Sequence, residues 1–396
     1  MDFFRQTTIL SLEQATVLPY LTYRLAQDGM QVLRLEHPVY GDPNRLVGDN
    51  VLGEERMNAY FLCINAGKKA LTLDLARPEG QEILRTLIGS LDVAVFATNQ
   101  LPKNYLKLGI DYDTLKGLKE NLVWVGISGF GPDSNEAAYE PILEARSGLM
   151  ELTGEEAGDP MHLGIPLADM GTAEHTYGLV MKALLKREKT GEGSKIEVSM
   201  FESATSWLTV PITLTATFNE RMSRRGNIHP FFTPVSVFQT KNGYVYMAVG
   251  NNKQWKAMVR HPLFQTLDRP EYEENEGRRE DVTALNRALG RILKTRTSEE
   301  LIDLFKGLGV PISRINSLAE VVSDPLVRGK TLRSRDPETG LELTLAPPPN
   351  LTPFLKASKR QLSFPPRFGE HNQEIYGGKL GYADEQLQRF KREKLI

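Results

Sequence analysis

Cysteine is almost missing from this chain. Cys63 is the only one in 396 residues, so no intrachain disulfide can form, which fits a reducing compartment. An excess of one charge sign is also missing: 48 Lys+Arg stand against 50 Asp+Glu, a net of -2. That balance gives no general basic field for nucleic acid or a membrane surface. No apolar run is long enough to cross a bilayer, which takes about 20 residues. The longest uncharged stretch, between Glu202 and Glu220, is studded with Thr and broken by Pro211, and it reads as a buried core helix or helix pair. Met1 to Arg5 lacks the basic start and long apolar run of a secretory signal. A cytoplasmic protein with no nucleic-acid or membrane partner is expected.

The common cofactor signatures are missing too. No G-x-G-x-x-G follows the first expected strand, so a dinucleotide site of that kind is not indicated. Gly67-Lys68-Lys69-Ala70 lacks the leading glycine and the hydroxyl residue of a phosphate loop. The six histidines show no H-x-H, H-E-x-x-H or Cys-paired spacing, which leaves a metal site without support. Ser128-Gly129-Phe130-Gly131 is not a nucleophile elbow.

What is present is alternation. Strands are expected at Thr8 to Leu10, Gln31 to Leu35, Asp92 to Phe96, Leu122 to Ile127 and Lys195 to Val198. Helices are expected at Pro19 to Asp28, closed by Gly29, at Pro78 to Ser90, and at Met170 to Lys189, stopped by Thr190-Gly191. Strands separated by helix-length segments point to βαβ units and a parallel sheet. After residue 220 the texture changes. Ser236 to Thr240 and Tyr244 to Val249 flank Lys241-Asn242-Gly243, a hairpin signal, and amphipathic patterns follow near Gln254 to Arg260, Asp281 to Lys294 and Ser298 to Gly307. A length of 396 residues exceeds what one hydrophobic core usually serves, so two domains are expected.

Pro166-Leu167-Ala168-Asp169-Met170-Gly171-Thr172, just before the long helix, allows two readings of Asp169. In one, Asp169 is the N-cap and accepts hydrogen bonds from orphan backbone N–H groups. In the other, the dipole and exposed donors keep its carboxylate ionised, and the carboxylate serves as a covalent nucleophile. His175, six residues on, is about 240° around the helix, which argues against an Asp–His dyad.

An ordered series of segments carries a resemblance over nearly the whole chain. Leu25-Ala26-Gln27-Asp28-Gly29, Val32-Leu33-Arg34-Leu35-Glu36, Gly41-Asp42, Asn65-Ala66-Gly67-Lys68-Lys69 and Leu73-Asp74-Leu75 come first. Ser128-Gly129-Phe130-Gly131, the Asp169 segment, Thr190-Gly191-Glu192-Gly193, Glu197-Val198-Ser199-Met200-Phe201 and Gly369-Glu370-His371 follow. Together they resemble the family III CoA-transferases, the superfamily of formyl-CoA transferase, carnitine CoA-transferase and 2-methylacyl-CoA racemase. The resemblance implies an α/β fold: a large Rossmann-like, CoA-binding domain from both chain ends (1–200 and 331–396), a linker helix (201–224) and a small α+β domain (225–330). It also implies an interlocked homodimer, or a heteromer with a homologous subunit. Its chemistry implies an acyl-CoA and a free carboxylic acid as partners, with CoA as substrate and no cofactor or metal. Asp169 would be the nucleophile, Glu140 would orient it, and Gly250-Asn251-Asn252 would hold the oxyanions. Thr16, His37, Leu73, Thr98, Lys107 and Tyr139 would form the CoA site.

The sequence departs from the family pattern in places. Thr16-Val17-Leu18-Pro19 replaces a Gln/Ala-Ala-Gly-Pro segment, His37 stands where relatives often place Arg, and Phe96-Ala97-Thr98-Asn99 replaces Glu-Asn-Phe/Tyr-Arg. Two other functions remain open on sequence: a non-catalytic partner subunit of a heteromeric transferase, and a 2-methylacyl-CoA racemase. Tyr139-Glu140 stands where racemases carry a His-Asp pair, and a Tyr with an ordinary pKa of about 10 is a poor base near neutrality. By the resemblance Phe231, Phe232 and Trp255 lie in the segment that lines the acyl pocket, where they would receive an aromatic or bulky apolar acid or else belong to the core, and Arg224 and Arg225 could equally pair with a second carboxylate. Succinyl-CoA as donor and an aromatic or substituted dicarboxylic acid as acceptor are therefore expected.

Overall fold

The computed structural model describes residues 3–396. Its contacts divide the chain into two compact units: one of 1–149, 163–213 and 329–396, and one of 150–162 and 214–328. Met150 to His162 thus groups with the second unit, a return that alternation of strands and helices does not announce.

The first unit is built on six strands, β1 (Thr8–Leu12), β2 (Gln31–Glu36), β3 (Lys68–Thr72), β4 (Val93–Thr98), β5 (Val123–Ser128) and β6 (Ser194–Ser199). All are parallel, in the order β3-β2-β1-β4-β5-β6. β1, β4 and β5 are buried along their whole length, which explains their unbroken apolar runs: a parallel sheet is covered on both faces. Strand order reverses between β1 and β4. In open α/β sheets that reversal opens a crevice at the carboxyl ends of the strands, where ligands bind.

The expected helices form at Val17–Gln27, Pro78–Ser90 and Leu167–Thr190, the last closed by Gly191 in the left-handed region (φ 72°). β3 is a strand that apolar pattern does not reveal, because its first two residues are lysines. Lys68 points inward and gives a hydrogen bond to Glu13 Oε1 (2.9 Å). Fully buried Arg34 pairs with Asp42 (2.8 Å) and Arg45 with Glu36 (2.7 Å), so three cations balance three anions beneath the ends of β1 to β3. This is why Gly67-Lys68-Lys69 is no phosphate loop: the Lys68 charge is consumed inside the fold. Burial, opposed by Glu13, lowers the Lys68 pKa to about 8.

The outer edge of β3 is covered by the chain's C-terminal part. His371 N–H donates to the Ala70 carbonyl (3.0 Å), His371 Nδ1 accepts from Ala70 N–H (3.2 Å), and Asn372 Oδ1 accepts from Thr72 N–H (3.0 Å). The Gly369-Glu370-His371 segment therefore has a structural task, satisfying an edge that would otherwise pair with another chain. A small three-stranded sheet of β10 (Leu332–Arg335), β11 (Glu342–Leu345) and β12 (Gln361–Leu362) completes this unit.

In the second unit β7 (Val235–Thr240) and β8 (Gly243–Ala248) form the expected hairpin, with β9 (Ile312–Arg314) pairing antiparallel to β8. The helices Asn252–Val259, Val282–Leu293 and Ser298–Leu308 pack a core of Trp255, Phe264, Leu285, Leu289, Leu301 and Phe305. Trp255 is 1% exposed and meets Tyr272 edge-on, so it is a core residue and not a free wall for an aromatic acyl group.

The uncharged stretch after Glu202 is a helix pair, Met200–Ser206 and Thr209–Phe218. The expectation of burial holds only for the first. Thr209–Phe218 buries no residue at all, and Val210, Ile212 and Phe218 are exposed. Among the described residues no helix is long and apolar enough to cross a membrane.

Candidate active site

The Leu167–Thr190 helix begins three residues before Met170, the expected start, and this changes the standing of Asp169. Pro166 occupies the cap position and Asp169 lies within the first turn. The N-cap reading is therefore overturned. Asp169 is half-buried, and burial pushes its carboxyl pKa up to about 7. The expectation that dipole and donors hold it firmly ionised is corrected: desolvation outweighs them, and near neutrality acid and carboxylate coexist.

Glu140 comes to the same place from the helix Glu140–Ser147, whose Pro141 follows it in the first turn. Its Oε1 accepts from the N–H of Ala168, the peptide before Asp169, at 3.3 Å. Burial, contact with Glu144 and the charge of Asp169 push the Glu140 pKa up to about 7, against the lowering effect of the Ala168 N–H. Tyr139 precedes this helix and is 76% exposed. His175 is engaged elsewhere, with Nδ1 2.8 Å from Ser203 Oγ and its ring stacked on Trp207. Ser128-Gly129-Phe130-Gly131 leads out of β5, and Arg146 lies over the Phe130 ring at 4.3 Å while pairing with Glu136 at 2.9 Å.

A cavity of about 300 Å³ lies at the carboxyl ends of β1 and β2, where the strand order reverses. His37, Leu73 and Lys107 all line it, joined by Gln14, Tyr40, Gln100 and Asn104. The loop after β1 is fixed at its rim. Ala15, in the left-handed region at φ 61°, donates its N–H to Asp42 Oδ1 (3.0 Å), while Asn99 brackets Gln14 through both its N–H (3.2 Å) and its carbonyl (2.8 Å). Buried Asp42 belongs to the charge network below, so that network holds the cavity wall in place.

Three expected CoA contacts fall outside this lining. Thr16 begins the Val17–Gln27 helix and shares a hydrogen bond with the Tyr60 hydroxyl (2.9 Å). Thr98 is fully buried and bears on the cavity only by accepting from the Gln100 N–H (3.2 Å). Tyr139 stands with Glu140 instead. His37 departs from the role of a cation: its Nδ1 accepts from Val39 N–H (3.1 Å) and Tyr40 N–H (3.3 Å), and burial lowers its pKa despite Asp74 at 3.7 Å. It offers an N–H donor, and exposed Lys107 is the cavity's cation, while the buried carboxylates of Glu13 and Glu36 also line it.

Sequence patterns did not single out Tyr40 or Gln14. Tyr40 is 78% exposed with its ring 4.6 Å from that of His37. Position is the signal that finds both: each follows the carboxyl end of a strand at the switch point.

In the second unit, Gly250 N–H donates to Gln254 Oε1 (2.8 Å), so it is not free for an oxyanion; Asn251 caps the next helix and Asn252 Oδ1 accepts from Arg278 (2.7 Å). Arg224 is paired with Glu151 at 2.6 Å, which removes it as an open partner for a second carboxylate. Phe231 and Phe232 are partly exposed, and Arg225 lines a separate cavity with His229. Among the described residues no group of His, Cys, Asp and Glu is arranged to hold a metal ion.

A parallel α/β sheet with a crevice at its switch point, and a half-buried first-turn carboxylate beside Glu140, make an α/β protein suited to hold a ligand at its strand ends. The family model of CoA-transferase family III matches residues 4–372, and the chain belongs to that family as a CoA-transferase. Succinyl-CoA:glutarate CoA-transferase of Homo sapiens is 30% identical over 95% of this chain and 86% of its own length. Succinate--glutarate CoA-transferase of Agrobacterium fabrum is 28% identical over 93% of each chain, and succinyl-CoA:mesaconate CoA-transferase of Haloarcula hispanica is 29% identical over 86% and 88%. The crystal structure of a CAIB/BAIF family protein from Brucella suis superposes with a TM-score of 0.81 at 27% identity, covering 94% of this chain and 98% of that one.

Proposed function

We propose that the chain moves CoA from succinyl-CoA to a second dicarboxylic acid through covalent intermediates on Asp169. The Asp169 carboxylate attacks the thioester carbonyl, the C–S bond breaks and CoA leaves as thiolate, giving a mixed anhydride. The thiolate attacks the aspartyl carbonyl and expels succinate, leaving an aspartyl-CoA thioester. The acceptor carboxylate attacks that thioester and releases the thiolate again. Attack of the thiolate on the acceptor's acyl carbon then yields the new CoA thioester and restores Asp169. No net proton is consumed, and the cycle draws on no metal or organic cofactor. Splitting the exchange this way keeps each step between acyl derivatives of comparable energy.

The observation that carries this reading is the placement of Asp169: a half-buried carboxylate in the first turn of a helix, beside Glu140 and raised toward neutrality. A carboxylate stripped of solvent is a stronger nucleophile than a hydrated one. The dicarboxylic partners are supported by the relatives, whose names give glutarate and mesaconate beside succinyl-CoA. The cavity with Lys107, His37 and Leu73 is proposed to receive the nucleotide portion of CoA, Lys107 meeting phosphate and Tyr40 offering a ring face.

We also propose a homodimer of the interlocked kind. Its support is the Thr209–Phe218 helix, an apolar segment with no buried residue in the single chain. Leu179 and Leu185 of the long helix are exposed as well. Exposed apolar surface on this scale marks an interaction face.

The test is mass spectrometry of the intact protein and its peptides after mixing with succinyl-CoA and other acyl-CoAs, followed by hydroxylamine. A donor-dependent adduct confined to the Asp169 peptide supports the reading. An adduct elsewhere, or none with a protein that still binds CoA, refutes it.

A further inference from the structure

Beneath Glu140 lies a second acid that the proposed cycle does not use. Glu144 is one turn further along the Glu140–Ser147 helix and is fully buried. Its Oε2 accepts from the Leu163 N–H at 2.9 Å, but its Oε1 is buried with no hydrogen-bond partner. A carboxylate has only acceptors, and a buried oxygen left without a donor is destabilising.

Among the described residues no salt bridge reaches Glu144. Arg146 of the same helix turns to Glu136 and the Phe130 ring. The Leu167–Thr190 helix contributes Asp169, while its Glu174 is taken by Arg24 and its His175 by Ser203. The Met200–Ser206 helix, which also packs here, carries Glu202, and that residue is exposed. Each of these neighbouring groups is therefore an acid, already engaged, or turned to solvent.

We infer that Glu140 and Glu144 hold one proton between them, and that Glu144 is a positioning residue acting through Glu140 on Asp169. One shared proton satisfies the orphaned Glu144 oxygen and leaves Glu140 Oε1 free to accept from Ala168 N–H, at the head of the helix that carries Asp169. It also holds the charge beside the nucleophile at one negative unit, not two. That matters for a site that must admit an anionic acyl donor and an anionic acceptor, because like charges a few ångströms apart in a desolvated pocket repel strongly. The raised Glu140 pKa, caused by burial first and the Glu144 contact next, agrees with this arrangement. The inference rests on Asp169 as nucleophile for its purpose, but the shared proton itself does not depend on it.

The test uses the full-length protein and separates the two. Infrared difference spectroscopy over pH, in an Asp169→Asn background, should show a protonated carboxyl band that titrates near neutrality. Glu144→Gln should remove that band, and Glu140→Gln should remove it independently. In enzyme with Asp169 intact, Glu144→Gln, whose amide supplies the same donor, should keep kcat within about threefold. Its alkaline fall in kcat/KM should move up by at least about one pH unit. Glu144→Leu, which supplies no donor, should lose about tenfold or more in kcat. A band that survives both glutamine variants, or an alkaline limb unmoved in Glu144→Gln, overturns the shared proton. Transfer that persists in Asp169→Asn defeats the nucleophile and leaves the spectroscopic result standing.

Discussion

Replacing Asp169 with Asn should make the protein inactive and more stable, and the stability gain should depend on pH in a defined direction. The Asp169 carboxyl is displaced from 3.8 to about 7 by burial. At 1.36 kcal/mol per tenfold, that displacement has an upper bound of about 4 kcal/mol. Asp169 is half-buried and solvent reaches it, so the realised penalty is nearer about 1–2 kcal/mol. Because the folded pKa lies above the unfolded one, no penalty exists below about pH 4, where both states hold the proton. It grows through the interval and is complete above about pH 7, where both states are ionised. Asparagine has the same shape and never ionises. Urea unfolding monitored at about pH 5 and about pH 8 should therefore show the variant's advantage widening with pH, while succinyl-CoA-dependent transfer falls by at least about a thousandfold. A variant no more stable than the parent at about pH 8 would refute the desolvation argument. A variant that still transfers CoA would refute the nucleophile.

Other perturbations test the supports of the site. Lys68→Met strips the buried network of one cation and leaves Glu13 only the longer pair with Arg34 (3.7 Å), so urea unfolding should show a loss of about 3 kcal/mol; adding Glu13→Leu should recover part of it. Lys107→Ala should raise KM for the CoA thioester by about three- to tenfold with little change in kcat, an effect that weakens with added salt; an unchanged KM removes Lys107 from phosphate contact. Ile212→Asp on the exposed Thr209–Phe218 helix should convert a dimer to smaller species in analytical ultracentrifugation, and an unchanged sedimentation profile would exclude this helix from the interface.

The sheet was legible in the sequence wherever burial on both faces writes itself as a continuous apolar run. β1, β2, β4 and β5 were each found within two residues at either end, and so was the edge strand β6, whose exposed Lys195 and Glu197 alternate with less exposed residues. β3 was not, because its lysines disguise it: Lys68 is buried by pairing with Glu13, and pairing is a tertiary fact that no local pattern records. The Thr209–Phe218 helix misled in the opposite sense. An uncharged run predicts removal from water, but not whether the cover comes from its own chain.

The site shows the same division between what chemistry a chain carries and where that chemistry is set. Asp169 was singled out by its segment before the long helix and Glu140 by the family resemblance, since the type and order of such residues survive in the sequence. The expectation that Asp169 stays ionised did not hold, because its environment turns on three residues of helix boundary. Had the Leu167–Thr190 helix begun at Met170, the Asp169 side chain would cap free N–H groups and stay ionised; begun at Leu167, it is carried into the first turn and desolvated. Glu144 was passed over for a related reason. In sequence it is one more charged residue on a short helix, and only the absence of a donor at a fully buried oxygen sets it apart. The identity of a carboxylate is fixed by the gene, whereas its charge at neutral pH is fixed by what surrounds it. In the proposed reaction, whose nucleophile and acceptor are both carboxylates, the surroundings decide which of them is free to attack.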